Sequence, residues 1–210
     1  MKKTSLAIVS LILALTPIAF GSPTFYTDSV TFNAVSHIVV TENFESVVPK
    51  DKALASFTSQ GITYAGVAGK NVWVASAGYT NFGVDKTTSS VLTATGDEDF
   101  TLSIQLTTPV TALAFDTYLN YDGQATIKVF SGSNELGTYI LEHDPLQVGF
   151  FGVTSVNPIT MIQWTTRYGA IENTGIDNVQ VGNVVPAPGA LLLGAVGTGL
   201  VSVLRRRKTV

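Results

Sequence analysis

The chain has 210 residues, 45% of them hydrophobic and 13% charged, with a formal net charge of −3. That balance supplies enough apolar surface for one packed domain plus appendages and excludes a disordered chain. The absence of cysteine excludes disulfides, thiolate metal centres and a cysteine nucleophile.

The first segment, "MKKTSLAIVSLILALTPIAFGSP", has the three parts of a secretory signal peptide. Lys2 and Lys3 form the basic start, Leu6 to Leu15 an apolar run, and Ala19 and Gly21 the small residues before a cut. Residues 1–21 are therefore read as a signal helix handled by the general secretory machinery. Next, Asp28 is an N-cap residue ahead of Val30, Phe32, Ala34 and Val35, which predicts a short helix over Ser29–Ser36.

From there the apolar period becomes two. "TLSIQL" alternates Leu102, Ile104 and Leu106 against Thr101, Ser103 and Gln105. Similar short runs are "HIVVTENF", "ITYAGV", "NVWVAS", "VTALAFDTYL", "ATIKVF", "LGTYILE", "GFFGVTS", "ITMIQWTT" and "GIDNVQVG", and "SGSNELG" reads as a hairpin turn. About ten strands with no long helix predict an all-β fold, an antiparallel two-sheet β-sandwich or jelly roll over residues 22–183. No fixed-period repeat supports a propeller or solenoid.

Within this body all 15 acidic residues fall between Asp28 and Asp177, where six basic residues accompany them. Such an acidic surface disfavours a nucleic-acid partner, which needs cations facing phosphates. "TGDEDF" groups Asp97, Glu98 and Asp99 in a turn, where carboxylates suit Ca²⁺. Asp97, Asp99 and Asp177 are the candidate calcium ligands, against the competing reading of a solvated loop and a strand-orienting aspartate. No other cofactor is expected.

Catalytic patterns are lacking. His37 and His143 are the only histidines, and no GxSxG elbow is present. Glu142, His143 and Asp144 are adjacent, so on a strand they alternate faces rather than converge. No carboxylate pair is singled out for glycoside hydrolysis. Trp73 and Trp164 stand in strand-like runs and are expected in the core. Tyr79 and Tyr168 stand in glycine-flanked loops, better placed to meet a ligand.

The chain finishes "VPAPGALLLGAVGTGLVSVLRRRK". Pro186 and Pro188 enforce an extended stretch. Residues 189–204 carry no charge and, as a helix of ~1.5 Å per residue, reach about 24 Å, enough to cross with snorkelling ends. Arg205, Arg206, Arg207 and Lys208 form a stop-transfer cluster that stays inside, so the body faces outward.

This order of prolines, "GALLLG" apolar run and terminal basic cluster resembles the PEP-CTERM sorting tail of Gram-negative bacteria. Ala187 stands where the motif has glutamate, a form similar to the VPAPG variant of that tail. The Gram-positive sortase tail shares the plan, but its Leu and Thr are absent from Val185–Gly189. The resemblance implies that Val185, Pro186, Ala187, Pro188 and Gly189 form a sorting motif for a membrane-embedded exosortase within a tail of residues 184–210. The phrases "ENFES", "LTTPVTALAFD", "FFGVTSVNPITMIQW" and "IDNVQVG" also resemble the β-sandwich ectodomains found ahead of such tails. They mark a fold and assign no catalyst.

These readings lead to an exported, non-enzymatic protein, anchored in the inner membrane as a precursor and then passed to the cell surface or extracellular matrix. It would act in adhesion, exopolysaccharide association or envelope structure. The alternatives are a calcium-assisted carbohydrate-binding module and, behind it, a secreted glycoside or ester hydrolase.

Overall fold

The computed structural model describes residues 21–80, 82–94, 101–119, 124–166 and 174–185; the signal and anchor segments expected at the two ends lie outside them. Along the chain run β1 (Thr24–Tyr26), α1 (Ser29–Val35), β2 (Ser36–Glu42), β3 (Ala53–Leu54), β4 (Ser56–Ser59), β5 (Ile62–Gly66) and β6 (Val72–Ala75). They are followed by β7 (Val91–Ala94), β8 (Thr101–Tyr118), β9 (Gln124–Ser131), β10 (Asn134–Glu142), β11 (Gly149–Thr166) and β12 (Gly175–Val184). Every strand pairing among them is antiparallel.

Two 18-residue strands organise the rest. The sequence reading divides each of them in two, at Pro109 and at Pro158, because proline cannot donate to a ladder. The structure instead carries both strands through the prolines. Pairing runs Ala112 with Thr154 and Val110 with Ile159, then resumes at Gln105 with Met161, so each strand bulges out around its proline. Both prolines are exposed there, where no ladder donor is needed.

The bulges fold the sheet into two facing layers. The first has the order β4–β5–β8–β11–β9–β10, using Thr101–Leu106 and Met161–Thr166 of the long strands. The second has β1–β11–β8–β12, using their other halves. Beyond β12, β2 pairs with its C-terminal half, and β7, β6 and β3 extend from its N-terminal end. This is the expected antiparallel sandwich.

Alternation decides the interior. Ile62, Tyr64, Ile104, Ile127, Val129, Ile162 and Trp164 from one layer meet Leu113, Phe115, Phe151, Val153, Ile176 and Val179 from the other in one buried cluster. Phe115 bridges them, its ring centroid 5.3 Å from Trp164 and 5.1 Å from Phe151. The Trp164 indole N–H, carried into this core, donates to Thr174 Oγ1 at 2.7 Å, which offsets its desolvation.

Local polar groups then fix the connectors. The Asp28 carboxylate caps α1, accepting the N–H of Thr31 at 2.7 Å and of Val30 at 3.4 Å. The helix ends at Val35, one residue before the expected limit, because Ser36 is already extended and begins β2. Phe32, fully buried, seats α1 on Ala112 and Ala114 of the second layer. In "ENFES", Phe44 takes a left-handed φ of 58° and drives its ring against Tyr64. Its N–H is satisfied by the buried Glu42 carboxylate at 2.6 Å.

Between α1 and the loop carrying Tyr79 and Phe82, the second layer buries a polar seam. Asp116 and Asp177 are directly opposite on β8 and β12. Asn178, at φ 49°, donates its side-chain amide to Asp116 at 2.7 Å and its backbone N–H to Asp177 at 2.6 Å. Ser89 also donates to Asp177. Burial pushes the Asp177 carboxyl up to about 6, helped by the charges of Asp116 and Glu45, and burial raises Asp116 too.

Glu45 is shifted the other way, to about 2, by hydrogen bonds from Ser90 and Lys50. The native state therefore keeps the Asp177 proton between pH 3.8 and about 6, where the unfolded chain has lost it. Stability from that group is present below the window and lost as pH climbs through it. The Glu45 contribution is present above 4.5 and lost as pH falls towards 2.

Two outcomes follow for urea and thermal unfolding read by tryptophan fluorescence. Phe32→Ala should cost about 3–5 kcal/mol by opening a cavity under α1, and Asp28→Ala should lower stability by a smaller amount by removing its cap. Melting temperature should peak at about pH 4 and fall until about pH 7, and Asp177→Asn should flatten that upper limb. A melting temperature that climbs steadily across the same range would contradict the buried seam.

Candidate functional site

Because strands alternate, the residues that flank the first layer's core point to its outer surface. Six strands at ~4.8 Å spacing make this face about 24 Å wide. The registers set its side chains in rows. One row runs Thr58, Thr63, Gln105, Met161, Phe130 and Glu135 across β4, β5, β8, β11, β9 and β10. The next runs Ser56, Ala65, Ser103, Gln163, Lys128 and Thr138. A third, shorter row holds Thr101, Thr165, Thr126 and Ile140.

The short residues at the middle of these rows define a shallow trough in the side-chain pattern of this face. Ala65 and Ser103 are short and form its floor, with Ser103 only 4% exposed beneath its neighbours. Gln105 lies along one wall and donates its amide to Ser103 Oγ at 3.3 Å. Thr101 and Thr165, 3.0 Å apart, form the opposite wall. Half-buried Phe130 adds an apolar patch at the β9 end. Hydroxyls and amides dominate, and each both donates and accepts.

The electrostatics of the face are nearly neutral. Lys128 pairs with Glu135 at 3.4 Å. The Glu135 carboxyl lies below its ordinary value, chiefly because Thr138 Oγ1 donates to it at 2.6 Å, with Lys128 adding to the effect. At the far margin Gln124 donates to Glu142. The face thus offers a wide, nearly neutral array of polar groups with one apolar flank.

The residues singled out in the sequence lie elsewhere. Tyr79 is half-buried on the second layer, its ring edge-on to Trp73 at 5.8 Å and to Phe82 at 5.1 Å. It packs against the cluster of Phe82, Val91 and Tyr118, which occupies much of the ring a ligand would stack on. Trp73 shares that packing and is half-buried on the outer side, whereas Trp164 sits in the core as expected. Asp177 is 1% exposed and committed to the seam with Asp116 and Asn178.

Asp97, Asp99 and Tyr168 lie outside the described residues, as do Pro186, Ala187, Pro188, Gly189, Arg205, Arg206, Arg207 and Lys208. Of the sorting motif, Val185 alone is described; its N–H bonds the Val35 carbonyl at 2.8 Å. Among the described residues no group of three or more His, Asp or Glu is arranged to hold a metal ion, and no helix is long and apolar enough to cross a membrane.

His37 is exposed on β2, and His143 takes a structural position. His143 Nε2 lies 2.8 Å from Thr117 Oγ1, and its Nδ1 lies 2.9 Å from the Asp144 carbonyl. Thr117 is fully buried, so its hydroxyl is not presented to a substrate. Asp144 itself accepts the Leu146 N–H at 2.9 Å, closing the turn after β10. Sequence reasoning missed Asp116, since a single aspartate in "AFDTYL" gives no sign of the β12 partner opposite it. It also missed the trough, whose rows come from five separate pairings.

No family model and no curated protein matches the chain. Solved structures similar to it include a family 29 carbohydrate-binding module complexed with mannohexaose, at 12% identity and a TM-score of 0.43, covering 70% of this chain and 94% of that one. Another is a family 29 carbohydrate-binding module from Piromyces equi, at 10% identity and a TM-score of 0.41, covering 78% and 93%. A third is TmCBM61 in complex with β-1,4-galactotriose, at 16% identity and a TM-score of 0.33, covering 66% and 92%. At these scores the likenesses carry no argument about ligand.

Proposed function

We propose that this chain is an exported, non-catalytic surface protein whose sandwich associates with neutral polysaccharide along the trough on the first layer. The observation that carries the reading is the set of cross-strand rows: Gln105, Gln163, Thr101 and Thr165 around the short floor of Ala65 and Ser103. A sugar chain presents hydroxyls spaced along a flexible ribbon. A rigid sheet meets them with uncharged donors and acceptors whose entropy is already restricted, and few groups must move on binding. Phe130 offers its apolar surface to the C–H face of a sugar ring.

The sorting reading accompanies this one. β12 ends at Val184, and the proline motif follows within two residues of the sandwich. A PEP-CTERM-type tail would hold the precursor in the inner membrane until an exosortase-type enzyme passes it to the surface or matrix, where exopolysaccharide is the partner at hand.

Affinity electrophoresis in gels containing neutral polysaccharides, run with calcium and with a chelator, tests the trough. The parent should be retarded by at least one polymer, and the pair Gln105→Ala with Gln163→Ala should weaken retardation by about tenfold, the size of one or two lost hydrogen bonds. Loss of retardation in chelator would bring calcium into the site. Migration unaffected by every polymer, or by the paired substitution, would overturn the reading.

A further inference from the structure

Charge is unevenly spread between the two ends of the sandwich. One end is built where β8 and β11 bulge around Pro109 and Pro158, and it includes the turns at Gln60–Gly61 and Gly132–Ser133, the start of β2 and the end of β12. Residues 21–23, 36–40, 60–62, 106–111, 131–134, 155–159 and 181–185 contain no Asp, Glu, Lys or Arg. The first charged side chain along β10 is Glu135, already paired with Lys128. The opposite end carries Asp116, Asp177, Glu142, Asp144, Asp85 and Lys86.

This uncharged end also exposes valines. Val39 is 65% exposed, Val156 76%, Val185 46% and Val184 37%. Beside Val39 a groove of about 260 Å³ opens between Gly61, Leu106, Pro109 and Val110. Val39 on the groove, and Val156, Val184 and Val185 outside its lining at the same end, expose apolar surface that water covers at a cost, with no Asp, Glu, Lys or Arg among them. Both chain exits stand here. Gly21 lies against Val156, and Val185 is bonded to Val35 at the end of α1.

The tether out of Val185 is short. From Val185 to Gly189, where the uncharged run begins, four Cα steps reach at most about 14 Å. The polar headgroup zone on each side of a bilayer is itself roughly 5–8 Å deep. If the run crosses the membrane, the end that carries Val185 is held within a headgroup layer or two of the lipid.

We infer that the uncharged end of the sandwich, centred on Val39, Val156, Val184 and Val185, rests on the outer surface of the bilayer that the C-terminal segment spans. This inference depends on the anchoring role proposed for that segment. The contact desolvates no Asp, Glu, Lys or Arg side chain, and burying such a charge is the large cost in such a contact. Signal removal after Gly21 adds one charge, the α-amino group of Ser22, whose sign suits anionic phospholipid. The contact also orients the molecule: the polysaccharide trough stands beside the membrane normal, and the acidic end points away from the cell.

The chain has no cysteine, so single-cysteine variants can carry an environment-sensitive fluorophore without other changes. Val39→Cys, Val156→Cys and, at the far end, Asp144→Cys would be made in the chain from Ser22 to Val210. Each would be reconstituted into vesicles of phosphatidylethanolamine and phosphatidylglycerol carrying a nitroxide on the lipid headgroup. Labels at 39 and 156 should be quenched several-fold more than the label at 144 and should shift to the blue.

If the chain floats with the vesicles and resists alkaline extraction while all three labels report water equally, the docked end is refuted and the anchor stands. A chain that fails to float removes the anchor and the docking together. Quenching at 39 and 156 that vanishes on dilution, with cysteine crosslinks between copies, would assign the patch to self-association and refute lipid contact.

Discussion

The paired course of β8 and β11 is the constraint from which the rest of the molecule is built. Each strand contributes one half to either layer, and their mutual ladder is interrupted where Pro109 and Pro158 force bulges. A flat 18-residue pair would expose half its apolar side chains. Bent at the bulges, it brings Ile104 and Trp164 over Phe115 and Phe151, and one core forms instead of two half-covered sheets. The outer strands, β5, β9, β12 and β1, then add to edges whose position is already fixed.

That arrangement also assigns different chemistry to each surface. The outer side of the first layer is a polar trough because short residues fall at the same level on β5 and β8. On the second layer the outer side is covered, by α1 through Phe32 at one place and by Phe82 and Tyr79 at another. Between these covers Asp177 is shut away from water and Asp116 is half-buried, and that burial raises both carboxyl groups. Charged residues gather at one end and are missing from the bulged end. The polar face, the acid pair and the uncharged end thus occupy separate parts of one small sandwich.

Much of this was legible in the residues. The Asp28 cap is followed by the helix it announces, and "SGSNELG" turns between β9 and β10. Clean alternation in "TLSIQL" and "ATIKVF" places Leu102, Ile104, Ile127 and Val129 inside. Division of β8 and β11 at their prolines follows from a sound local rule, that proline cannot donate to a ladder. The bulges override that rule by turning the proline nitrogens away from any partner. Trp73 was expected in the core on the strength of its strand; parity puts it on the outer side, since Val72 and Val74 take the inner positions.

Composition and order along the chain are enough to determine a basic start followed by an apolar run, an alternating all-β body and an uncharged run closed by four basic residues, because each is a property of contiguous residues. Which residues become neighbours is decided only by the fold. Asp116 and Asp177 lie 61 positions apart, Ala65 and Ser103 38, and nothing local couples them. Pairing across strands depends on register, and register is set by the summed burial of a whole face rather than by any one side chain. For that reason the apolar runs and their basic flanks are written in the linear chain, while the trough, the acid pair and the uncharged end exist only once the two long strands have closed on one another.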